Sequence, residues 1–116
     1  MKRFIKLAAQ GDILVEAVDS IPANVVPGKI ASGKFIVAHS ETGHHHVIDR
    51  VRAEVYEVAD DQFCAYIRTL GDGAEIVHER DFDTHETLFL EPNQTYRIWR
   101  QVEPSDADDG WRSAAD

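Results

Sequence analysis

The chain has 116 residues, 43% hydrophobic and 28% charged, which is the balance of one globular domain and excludes both a disordered chain and two full-sized domains. Its 12 Lys and Arg against 21 Asp and Glu give a formal net charge of −9, a surface that repels phosphate backbones, so no nucleic-acid partner is expected. No apolar run approaches the ~20 residues of a membrane helix, no continuous apolar core follows Met1-Lys2-Arg3, and the single Cys64 excludes an internal disulfide, so the expected location is the cytoplasm, away from any membrane.

No segment repeats apolar residues at helical spacing for more than about two turns. Strand signals are frequent instead. Ile13 to Val18 is an apolar run closed by Asp19-Ser20-Ile21-Pro22. The segment Ser20 to Ser32, with Pro22, Pro27 and Gly28, is expected to be irregular chain along an edge. Lys34 to His39, His44 to Ile48 and Arg52 to Val58 follow as strands, and Asp60-Asp61 turns the chain into Phe63 to Leu70. The short connection Ala59 to Gln62 predicts antiparallel neighbours. Gly71-Asp72-Gly73 predicts a tight hairpin into Ala74 to His78. After Thr87 to Leu90, the turn Glu91-Pro92-Asn93-Gln94 uses the fixed φ of Pro92 and the left-handed tolerance of Asn93, and Thr95 to Val102 ends the series.

About eight short strands separated by turn residues predict an all-β fold, a small antiparallel barrel or sandwich. Residues 1–102 are read as one β domain and residues 103–116 as an acidic, mobile C-terminal tail, in which Trp111-Arg112 could dock on the domain or on a neighbour. In Thr95 to Val102, Tyr96, Ile98 and Arg100 share one face, while Thr95, Arg97, Trp99 and Gln101 share the other. Mixed faces of this kind fit a closed or self-associating architecture, so a homo-oligomer is expected, with a further protein partner left open.

Six histidines stand in the chain, four of them at His39, His44, His45 and His46. On a strand, His44 and His46 point to one face and His45 to the other, a spacing suited to gripping one divalent metal through neutral imidazoles. A third ligand is needed. His39, His78 and His85 are candidates, with Glu79 as an oxygen ligand and Glu41 or Glu79 as a supporting partner or base. The same residues also fit a hydrogen-bonded polar cluster inside the fold, or solvated surface histidines.

Three segments carry a resemblance: Gln10-Gly11-Asp12-Ile13-Leu14-Val15, then Ala38 to Val47 with its Glu41-Ser40-flanked Thr42-Gly43-His44-His45-His46, then Glu91 to Gln101. Together they resemble an uncharacterised family of small all-β bacterial and phage proteins with a Glu-x-Thr-Gly-His-x-His motif. His78 and His85 match the family's later histidines, at a longer separation. The resemblance implies a phage or prophage origin, and a place in the host cytoplasm or the virion, but no activity. His44-x-His46 is also similar to the metal motif of the cupins, which implies a cupin-like or jelly-roll-like fold. The following Glu and the second cupin histidine are missing here.

Cys64 lies in a strand as a small buried hydrophobe, and the acidic pairs lack the spacing of a calcium loop. Two functions stay open. One is an oligomeric binding or structural module. The other is a metalloprotein or metalloenzyme of cupin-like type holding one divalent Zn, Fe, Mn or Ni through His44, His46 and His78 or His85, where a metal-bound water could act as hydroxide.

Overall fold

The computed structural model describes residues 1–28, 30–31, 33–38, 45–78, 86–100, 102–104 and 111–113. In chain order their strands are β1 (Lys2–Arg3), β2 (Leu7–Gln10), β3 (Ile13–Val18), β4 (Val25–Pro27), β5 (Ile30–Ala31), β6 (Lys34–Ala38), β7 (His46–Asp49), β8 (Ala53–Val58), β9 (Asp61–Thr69), β10 (Ala74–His78), β11 (Leu88–Leu90), β12 (Thr95–Arg100), β13 (Val102–Pro104) and β14 (Trp111–Ser113). They form two six-stranded sheets, β1-β11-β10-β7-β6-β5 and β2-β3-β12-β9-β8-β4, with β13 and β14 as a separate ladder. The pairing is antiparallel except for β1 beside β11. The two sheets stay open and face each other, so the architecture is an all-β sandwich and not a closed barrel. No helix among the described residues is long and apolar enough to cross a membrane.

Alternation decides which side of each strand faces the core. Ile13, Val15 and Ala17 of β3 are buried, as are Tyr96 and Ile98 of β12, Ala65 and Ile67 of β9, and Ala53 and Val55 of β8. The first sheet answers with Ala74 and Ile76, Leu88 and Leu90, and Ile48. These side chains, Ala65 apart, form one cluster between the sheets, and each large aliphatic one contributes about 1.5–3 kcal/mol of burial. Phe4 packs edge-on against Tyr96, with ring centroids 5.8 Å apart.

The expected turns form, with one change of role. The β8–β9 connection makes antiparallel neighbours as the short loop predicts. Asn93 takes φ 54, in the left-handed region. Gly73 takes φ 72, but its turn is not a hairpin: β9 belongs to the second sheet and β10 to the first, so Gly71-Asp72-Gly73 carries the chain across the sandwich. Turn chemistry specifies a reversal, not which strand pairs after it. The Ser20 to Ser32 segment, expected to be irregular, holds β4 and β5, which pair with β8 and β6. Strands of two or three residues are too short to show alternation, and Pro27 sits on an edge, where its missing N–H leaves no ladder bond unmade. Within the described residues β6 ends at Ala38 and β7 begins at His46; His39 and His44 lie outside them.

Candidate functional site

The β2–β3 hairpin turns in two residues, Gly11 and Asp12, because Gln10 pairs directly with Ile13 and Gly11 supplies φ 57. Gln10 continues the inward face of Ala8, so a polar side chain enters the core end. Asp12 sits beside it, also buried. On β12, Arg100 extends the inward row of Tyr96 and Ile98. From the opposite sheet, His46 opens β7 and His78 closes β10, directly across the ladder from each other.

These five side chains meet at one end of the sandwich. Gln10 Nε2 donates to the carbonyl oxygens of Ile76 (2.8 Å) and Glu86 (3.0 Å), which fixes Oε1 as the end facing His46. His46 Nδ1 lies 2.8 Å from that Oε1, and His46 Nε2 lies 3.1 Å from Asp12 Oδ1, each at hydrogen-bond distance. Arg100 Nε donates to the other carboxylate oxygen, Oδ2, at 3.2 Å, and Nη2 makes an ion-pair contact with the same oxygen at 3.2 Å. The His78 ring stacks on His46 with centroids 4.0 Å apart and planes 12° apart. His46 is 0% and His78 3% exposed.

The electrostatics follow from the partners. Burial pushes the Asp12 carboxyl upward, but the His46 hydrogen bond and the Arg100 guanidinium outweigh it and hold the group below its ordinary value. An acceptor stands at each ring nitrogen of His46, Gln10 Oε1 at Nδ1 and Asp12 Oδ1 at Nε2. To ligate a metal, the ring would have to give up one of these contacts. The arrangement ties the second sheet (Gln10, Asp12, Arg100) to the first (His46, Ile76).

Of the residues singled out in the sequence, the structure brings His46 and His78 together. His44, His85, Glu41 and Glu79, with His39, lie outside the described residues. Among the described residues no group of three or more His, Cys, Asp or Glu is placed to hold a metal ion. Sequence reasoning missed Gln10, Asp12 and Arg100 as members of the cluster. The available signal was alternation: Arg100 shares a face with Tyr96 and Ile98, and a charge continuing a buried apolar row needs a buried partner.

A family model described as Domain of unknown function (DUF8820) matches residues 9–101. The match covers most of the chain, and the chain belongs to this family. It takes in Gln10, Asp12, His46, His78 and Arg100. No curated protein and no solved structure matches the chain significantly.

Proposed function

We propose that this member of a family of unknown function is a binding and structural module that works as a self-associated assembly. The observation that supports this most is where the apolar groups stand. Three of the four sheet edges carry an exposed apolar side chain, Ile30 on β5, Leu7 on β2 and Val26 on β4, while the fourth, β1, is the charged pair Lys2–Arg3. Ile5 is 95% and Val51 68% exposed. Edge strands of proteins that stay monomeric are normally guarded by charge, and apolar edges are most simply covered by another copy. Meanwhile the hydrogen-bonding groups of His46 and Asp12 are turned inward and engaged with one another. The phage or prophage setting implied by the resemblance would suit a virion-associated or accessory role. Light scattering on the full chain tests the proposal. A mass that is a multiple of 13.0 kDa supports it, and 13.0 kDa at every concentration refutes it.

A second reading, one divalent metal held by a cupin-like histidine set, draws on one observation. His46 and His78 stack at 4.0 Å where the segments 39–44 and 79–85 leave the described strands, and those segments carry His39, His44 and His85. In this reading His44 and His46 are ligands, His78 or His85 is the third, and Glu41 or Glu79 supports them. Metal analysis of protein purified without a metal column tests it. Stoichiometric metal that is lost in His44→Ala/His78→Ala supports it. Metal no higher than in that variant, with a Tm indifferent to zinc and to chelator, refutes it.

A further inference from the structure

The outer face of the first sheet bears a groove of about 300 Å³. Val47, Val77 and Phe89 form its apolar part, and Lys34, Asp49, Arg52 and Glu75 its charged surround. Register orders these groups into rows. Val77 pairs with Val47 and Ile36 pairs with Val47, so one apolar row runs across β10, β7 and β6. Lys34 pairs with Asp49, and Glu75 lies two residues along β10 from Val77, so the next row reads Glu75, Asp49, Lys34. Val77 is 37% exposed, whereas Val47, at the middle of its row, is 4% exposed.

Two features select the occupant. The groove carries two cations and two anions in a chain whose net charge is −9, so it is a surface on which two like-charged copies can meet without net repulsion. The charged row also has opposite signs on β10 and β6, the strands on either side of β7, and beyond β10 it continues through Phe89 to Arg3, which is paired with Glu91. A two-fold axis along β7, lying in the plane between two stacked sheets, exchanges β10 and β6. Glu75 of each copy then faces Lys34 of the other, and Val77 faces Ile36. The paired Asp49 carboxylates meet at the centre, with Arg52 of each copy beside them. A strongly cationic or anionic partner would find half of the row opposed to it.

We propose that this groove is the contact surface of an isologous dimer, in which a second copy of the chain docks face to face with Glu75 and Lys34 paired reciprocally. The inference rests on the self-association proposed above and adds a second contact, on a sheet face, to the edge contacts argued there. The experiment is light scattering on full chains carrying Lys34→Glu, Glu75→Lys, both exchanges together, or Val77→Lys. Each position is exposed, so the fold tolerates the changes, and circular dichroism verifies it. The expected result is that each single exchange weakens association by about tenfold or more, that Val77→Lys does the same, and that the double exchange restores it. If the wild type associates and the single variants associate equally well, or if the double exchange fails to restore association, the groove is not this contact, although self-association stands. A wild-type monomer removes both.

Discussion

Asp12 faces His46 and Arg100 from a position with almost no solvent contact, so its carboxylate is the charge that offsets the largely buried Arg100 guanidinium, and it also meets the His46 ring. Asp12→Asn keeps the shape and removes the charge. Breaking a buried ion pair from one side costs about 3–5 kcal/mol, and urea unfolding at neutral pH should show a loss of that order. The pH dependence has a definite sign. Because the folded carboxyl is held below its ordinary value, its contribution is complete above about pH 4, where the unfolded group is ionised, and is lost as pH falls through the lower folded value. The stability gap between wild type and Asp12→Asn should therefore narrow on acidification below about pH 4; a gap that stays constant would show that Asp12 carries no depressed carboxyl. Part of this cluster was readable one residue at a time. His46 and His78 stood among the histidine candidates, and alternation put Arg100 on the face of Tyr96 and Ile98 without saying that this face is the inner one. That Gln10 and Asp12 meet them was not readable, because no pairing of residues 36 and 34 positions apart follows from local pattern.

Connections between strands are the next scale, and two of those that cross the sandwich are fixed by identifiable residues. At Gly73 the backbone is left-handed at φ 72, and a Cβ would stand 2.6 Å from the Leu90 carbonyl oxygen, so both the conformation and the space demand glycine. Gly73→Ala should cost about 2 kcal/mol or more in thermal or urea unfolding; an unchanged midpoint would mean that the turn readily rearranges. The second crossing, 91–94, is held from the side. Thr69 Oγ1 donates to the Glu91 carbonyl oxygen at 2.6 Å and accepts from Gln94 N–H at 2.9 Å, and Tyr96 Oη accepts from Glu91 N–H at 2.9 Å. Thr69→Val leaves the Gln94 N–H without this acceptor and should cost about 1–3 kcal/mol, whereas Asn93→Gly should be close to neutral because glycine adopts φ 54 freely. The turn residues were legible because Gly, Pro and Asn act locally. The sheet each strand joined was not, because that is set by which apolar face finds the shared core.

For the whole molecule, the same sandwich keeps its polar cluster inside and leaves apolar side chains at its edges and in the groove of the first sheet. The net charge of −9 opposes contact between copies at long range, so association should strengthen as salt rises from about 0.01 M to 0.15 M and the Debye length contracts from ~30 Å to ~8 Å. Sedimentation at the two ionic strengths checks this; weaker association at higher salt would show that short-range pairing between charges outweighs the long-range repulsion of the two copies. The all-β class was legible from strand periodicity, and a sandwich rather than a barrel was decided by long-range pairing that leaves both sheets open. Association also bears on folding, since a subunit held by its copy is stabilised by mass action. The most direct measurement is the Tm of the full chain across a hundredfold range of protein concentration. Self-association predicts that Tm rises steadily with concentration, and a Tm that does not change over that range would contradict it.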